Sequence, residues 1–167
     1  MLFRSGDTKL FHAHIAVMPL LAPNVNSYRR LTPFSDAPIN THWGYDNRTT
    51  GLRVPHSEPD ARRVENRVAG ADANPYLAIA ASLACGYLGM TEKLEPRPPV
   101  EGSAYRLAHT LPRTLYDSLS RFNASKSLKT VLGGIFIDAV TLVKDSELLA
   151  YQQVISSWER EHLLLNV

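Results

Sequence analysis

The stretch NPYLAIAASLACGYLGM, residues 74–90, constrains the fold more than any other. Asn74 is a good helix N-cap, and Pro75 fits the first helical position, where its missing N–H costs nothing. The residues that follow are apolar nearly all the way round. A helix with no polar face has to be enclosed, so the spacing predicts a central, buried helix with other elements wrapped around it. At 167 residues the chain is long enough to build such a surround as one domain. Cys85 is the sole cysteine and lies inside this run. It reads as a packed thiol and rules out an internal disulfide or a thiolate metal cluster.

On either side of the helix the chain changes character. Residues 23–73 are rich in Pro, Gly, Asn, Asp and Arg in short alternating segments, which predicts strands and ordered loops. Asn47-Arg48-Thr49 followed by Gly51 predicts a hairpin-like turn. LEPRPPVEG, residues 94–102, carries three prolines and reads as an exposed connection. The remainder reads as helical. Pro112 can open a helix through Leu115, Leu119 and Phe122. Gly133-Gly134 breaks the pattern after Leu132. Residues 135 to about 162 form one long amphipathic stretch that includes Ile137, Val140, Val143, Leu148, Tyr151, Val154, Ile155 and Trp158, with Trp158 as a packing anchor.

The N-terminal MLFRSGDTKLFHAHIAVMPLLAP has the basic-then-apolar order of a leader. His12, His14 and Pro19 interrupt the apolar part, so it reads as a helix with a proline-bounded stop. No span reaches the ~18 apolar residues of a membrane helix, and a net charge of +2 does not call for a nucleic acid or a membrane. A reducing, cytoplasmic setting is the default expectation.

Chemistry concentrates in the arginines. Seven lie between positions 29 and 67, while no lysine occurs from 10 to 92. A merely solvated face would mix the two. The planar arginine fork grips carboxylate or phosphate through two parallel hydrogen bonds, which an ammonium cannot do. The alternative is a set of ion pairs to Asp36, Asp46, Glu58, Asp60, Glu65 and Asp72. In an extended RRVENRV, Arg63, Glu65 and Arg67 share one face, and Val64, Asn66 and Val68 the other. An acid between two guanidiniums is either a buried ion pair or a ligand to a divalent cation whose phosphates the arginines hold. Asp36, in a loop bounded by Pro33 and Pro38, is either a turn-stabilising aspartate or a fixed general base.

NSYRRL (26–31), NRTTGLRVP (47–55), RRVENR (62–67) and ADANPYLAIAASLACGYLGM (71–90) together resemble the C-terminal part of the glutamine synthetase family, in family order and nearly at family spacing. WGYDNRTTGLRVP and the ending ISSWEREHLLLNV resemble most the γ-glutamylpolyamine (γ-glutamylputrescine) synthetase branch. The resemblance runs from about residue 9 to the end. It implies an α+β fold, the C-terminal portion of a glutamine-synthetase-like catalytic domain. A few antiparallel strands would pack against helices over 9–93, with a helical region over 103–167 and no N-terminal β domain.

It also implies an ATP-dependent carbon–nitrogen ligase. ATP would phosphorylate the glutamate γ-carboxylate, and ammonia or an amine such as a polyamine would attack the acyl phosphate, with Mg²⁺ or Mn²⁺ neutralising charge. By resemblance Arg30 and Arg67 meet the substrate carboxylates, Arg48 the transferring phosphoryl group, Arg53 and Arg63 the nucleotide phosphates, and Glu65 the metal. Asp36 falls where the family commonly has a flap glutamate acting as base, and it is shorter by one methylene. HAH at 12–14 matches a helical segment of the family, not its histidine motif. Family sites form between neighbouring subunits of a homo-oligomer. The expectation is thus a fragment that does not turn over alone and needs a complementing N-terminal half. A non-catalytic interaction or regulatory module is the alternative.

Overall fold

A computed structural model describes residues 15–166, so His12, His14 and the first part of the N-terminal helical reading lie outside the described residues. A short helix α1, Met18–Leu21, is buried along its whole length. The six-residue 3-10 turn Val25–Arg30 follows. Asn24 and Ser27 cap it reciprocally, the Asn24 amide donating to Ser27 Oγ at 2.9 Å. Three strands come next: β1 Trp43–Tyr45, β2 Leu52–Val54 and β3 Glu65–Asn66.

They form one sheet in the order β1-β2-β3. β2 and β3 are antiparallel, with Arg53 opposite Glu65. β1 and β2 run parallel, with Gly44 opposite Arg53, which corrects the antiparallel expectation for this pair and the hairpin at 47–49. The intervening loop doubles back fully because its own polar groups hold it there. Asp46 adopts a left-handed φ of 47°, a region aspartate tolerates. The buried Thr50 hydroxyl bridges the Asn47 and Leu52 carbonyls at 2.9 and 2.8 Å. Gly51 is required where the loop returns, since a Cβ there would stand 2.5 Å from the Asn40 carbonyl oxygen.

Helix α2, Pro75–Thr91, begins as the sequence requires. Asn74 Oδ1 accepts from the amides of Tyr76 at 3.0 Å and Leu77 at 3.3 Å. It is not enclosed as expected. Ala81, Ala84, Cys85 and Leu88 face the core, while the opposite side of α2 is exposed. Burial pushes the Cys85 thiol up to about 12, in keeping with a packed, unreactive sulfur.

The C-terminal half is helical: α3 Leu115–Ala124, α4 Lys126–Leu132, α5 Gly134–Gln152 and α6 Ser157–His162. Thr114, not Pro112, caps α3, its hydroxyl accepting from the Asp117 amide. Gly133, at a φ of 90°, both ends α4 and precedes α5. The single long amphipathic stretch is in fact two helices. Ser156 and Glu159 form a capping box that starts α6 afresh, with Glu159 donated to by the Ser156 amide at 2.7 Å. Trp158 is not a packing anchor: it is exposed and stacks on His162, with ring centroids 4.6 Å apart. One continuous core joins α1, the inner side of α2, and Leu115, Leu119, Phe122, Leu128 and Ile137 of the later helices.

Candidate active site

The arginines sit on the strands and loops in front of this core. Val68 is fully buried, and Asn66 Nδ2 donates to Ser82 Oγ of α2 at 2.9 Å. That side of β3 faces the helices, as the alternation predicts. The other side carries Glu65. Arg53 Nη1 lies 3.1 and 3.0 Å from the two Glu65 carboxylate oxygens, a paired contact across the antiparallel register. Arg53 Nη2 contacts Asp46 on the other flank. Asp46 and then Glu65 hold the Arg53 guanidinium firmly in its charged form, and Arg53 holds the Asp46 carboxyl below the usual carboxylate range.

Beside this ion-pair triad lies an open hollow of 710 Å³, lined by Tyr45, Asp46, Asn47, Arg48 and Arg53 on one side and by residues 99–102 on the other. Asn47 shapes it. Asn47 Nδ2 donates to the carbonyls of Val100 at 3.1 Å and Gly102 at 2.7 Å, while Oδ1 accepts from the Thr49 amide and hydroxyl at 3.0 and 2.7 Å. The Val100 amide donates to the Trp43 carbonyl at 2.8 Å, and Trp43 Nε1 to the Arg97 carbonyl at 2.7 Å. The proline-rich segment read as a plain connection is therefore one wall of the candidate site. Its prolines announce stiffness, but nothing in its sequence announces a partner in Asn47.

The other candidate residues are placed as follows. Arg48 is exposed at the hollow. Arg63 is exposed and does not line it. Arg67 Nη2 donates to the Asp36 main-chain carbonyl at 2.9 Å, so it anchors the 32–37 loop. Asp36 itself is exposed, at a φ of 58°, in the turn geometry of the plainer reading. Tyr105 fixes the same loop through a 3.1 Å hydrogen bond to the Ala37 carbonyl and a ring contact with Phe34. Asp36 does not reach the hollow that holds Arg48.

Arg30 lies across the Val68 carbonyl, close to Asp72, and partial burial lowers its pKa although Asp72 opposes this. Burial alone would raise the Asp72 pKa. Hydrogen bonds from Ser27 and Asn24 and the Arg30 charge outweigh that and set it below the ordinary value. Gly70 makes room here, since a Cβ would collide first with the Asp72 carboxylate and would also meet the Arg30 guanidinium at 3.2 Å. The structure therefore brings Arg48 and Arg53 to one hollow, ties Glu65 to Arg53, and places Arg30 and Arg67 on neighbouring main-chain carbonyls.

The Nε–H groups of Arg30, Arg53 and Arg67 are buried with no hydrogen-bond partner. A divalent cation fits poorly. Among the described residues no group of three or more His, Cys, Asp or Glu is placed to hold a metal ion, and Glu65 is already matched to Arg53. Among the described residues, no helix is long and apolar enough to cross a membrane.

The chain is similar to known proteins over most of its length. Residues 9–163 match the family described as glutamine synthetase, catalytic domain. The chain is 40% identical over 141 residues to a glutamate–isopropylamine ligase from a Pseudomonas species, covering 82% of this chain and 31% of the relative. It is 41% identical over 150 residues to gamma-glutamylputrescine synthetase PuuA of Escherichia coli K12, covering 89% and 32%. The type-1 glutamine synthetase 2 of Dictyostelium discoideum is 39% identical over 153 residues, with 88% and 29% covered. The solved structure of GmaS without ligand superposes with a TM-score of 0.77 at 29% identity, covering 97% of this chain and 41% of that one. The chain thus spans about a third of the length of these curated relatives. On the sequence match, the shared fold and the arginine-bearing loops, the chain belongs to the glutamine synthetase catalytic-domain family.

Proposed function

We propose that this chain is the phosphate- and carboxylate-gripping part of an ATP-dependent carbon–nitrogen ligase. The γ-phosphoryl group of ATP passes to the γ-carboxylate of glutamate and ADP leaves. The nitrogen of ammonia or an amine such as a polyamine then attacks the carbonyl carbon of the γ-glutamyl phosphate, inorganic phosphate departs, and the nitrogen gives up a proton. The observation that carries the reading is the 710 Å³ hollow beside Arg48 and Arg53. Phosphoryl transfer relies on positioning and on charge stabilisation; Arg53, held by Asp46 and Glu65, supplies a fixed guanidinium and the exposed Arg48 a second positive charge beside it.

In this reading Arg48 stabilises the transferring group. Arg53 and Arg63 meet the nucleotide phosphates, and Arg30 and Arg67 the substrate carboxylates. Asp36, on a loop held by Arg67 and Tyr105 outside this hollow, is the residue assigned to the proton. Glu65 is the carboxylate assigned to a Mg²⁺ or Mn²⁺ ion. With no companion ligands among the described residues, the chain does not by itself complete a cation site. Turnover therefore belongs to a larger, cytoplasmic, homo-oligomeric assembly that includes the rest of the fold.

Titration of the purified chain with Mg-ATP in a calorimeter tests this. Binding at millimolar concentration or tighter is expected and is lost in Arg53→Ala, with helical circular dichroism retained. Unchanged binding in that variant removes the nucleotide reading. Sustained ADP release by the chain alone with glutamate, Mg²⁺ and putrescine refutes the partial-site reading. The engagement of Arg53 by two carboxylates favours a second reading, a non-catalytic interaction or regulatory module, and that one predicts no Mg-ATP binding at all.

A further inference from the structure

A second cavity, of 420 Å³, shares no lining residue with the arginine hollow. Leu20 of α1, Pro23, Leu77 of α2, and Phe136, Val140 and Val143 of α5 give it apolar walls. The three α5 residues recur four and three apart, so they form one face that runs for about 10 Å along the helix. Asn24, Asp72, Asn74 and Lys144 are the polar side chains of the lining. Apolar walls with a few polar groups at this volume are the ordinary form of a small-molecule site. The charges in it are not balanced. Lys144 Nζ is already held by Glu147 at 2.7 Å. Asp72 has no such partner: Arg30 stands near it, but no ion pair joins the two among the described residues. Asn24 Nδ2 and the Ser27 hydroxyl both donate to Asp72 Oδ2, which keeps the carboxyl ionised against the effect of burial. Asp72 is the one acid among the lining residues.

We propose that this cavity binds a small amphipathic monocation, a primary ammonium on a short unbranched apolar chain, with the ammonium on Asp72 and the chain along Leu77, Phe136 and Val140. The head group is selected by charge, since an ammonium donates a charge-assisted hydrogen bond to a carboxylate. The tail is selected by the walls, where each methylene leaves water for an apolar surface. A second ammonium on the same chain is selected against. It would lie against apolar side chains or beside Lys144, with no second acid in the lining to receive it. An anionic head is repelled by Asp72 and finds Lys144 already bound to Glu147. The site uses none of the arginines assigned to nucleotide or substrate, so it stands apart from the ligase reading and needs neither nucleotide nor turnover.

The test is calorimetric titration of the whole chain with n-hexylamine, with no nucleotide added, and methyl NMR to locate the site. Hexylamine is expected to bind at millimolar concentration and to shift the methyl signals of Leu77 and Val140. Binding should tighten by about two- to fourfold for each methylene added from butylamine to hexylamine. The α,ω-diamine of the same length, hexanoate and n-hexanol should each bind at least tenfold more weakly. Asp72→Asn should abolish the preference for hexylamine over hexanol. Ala139→Trp, at an exposed position of α5 that lines the cavity, should abolish binding with the circular dichroism unchanged. The proposal is overturned by absence of hexylamine binding, by a diamine that binds as well, by a preference that survives Asp72→Asn, or by binding indifferent to Ala139→Trp. Competition between hexylamine and Mg-ATP would overturn it too, because it would put the amine in the arginine hollow. Absence of Mg-ATP binding in a chain that still takes hexylamine would instead count against the ligase reading alone.

Discussion

Replacing Asn47 tests how the candidate site is held together. Its amide group makes four hydrogen bonds, two donated across to Val100 and Gly102 and two accepted within its own loop. A typical hydrogen bond contributes about 0.5–1.5 kcal/mol net. Asn47→Ala removes all four, and the half-open site lets water reclaim some of the freed groups, so the lower end of that range applies. The expected loss is about 2–3 kcal/mol, read as a fall in the urea midpoint with an unchanged slope. Asn47→Asp separates the two halves of the contact. It keeps both acceptors toward Thr49 but sets a carboxylate oxygen against the Val100 and Gly102 carbonyls, where a donor stood 3.1 and 2.7 Å away. It is therefore expected to cost as much as N47A or more, and to free the Val100 amide for exchange first, because that amide bonds only to Trp43. If N47A shifts stability by less than about 0.5 kcal/mol, or N47D proves milder than N47A, then residues 97–102 are not held by Asn47 and the wall of the hollow has another origin.

Three further outcomes are expected. Gly51→Ala forces a Cβ to 2.5 Å from the main-chain oxygen of Asn40, where neither backbone can yield without moving the sheet; a loss of about 2–4 kcal/mol in urea unfolding checks it. Phe122→Ala opens a cavity at a fully buried position of α3 and should cost about 3–5 kcal/mol by the same measurement. Burial, with help from Arg97 and Arg113 respectively, lowers the pKa of His42 and His109 below the ordinary 6.5. The unfolded chain then binds protons that the folded chain refuses, so stability is complete above about pH 6.5 and falls as pH drops below it; the double variant His42→Gln, His109→Gln should flatten a melting-temperature profile over that window.

What the sequence determined on its own is the local layer. Asn74-Pro75 starts α2, Gly133 separates α4 from α5, and Cys85 packs, because caps, positive φ and apolar runs act within a turn or two of the chain. The Ser156–Glu159 box was equally local and marks the start of α6, though hydrophobic spacing alone runs straight through it. The arginine-bearing loops were legible as a group because their residue types and spacing are those of the family. The tertiary structure decided the rest. Only packing set β1 parallel to β2, assigned Asp46 and Glu65 to Arg53, turned residues 97–102 into a wall of the hollow, and left one side of α2 open. Each of these joins residues distant along the chain or depends on what else is present to cover a surface, and no pattern read along a single strand of sequence encodes the partner.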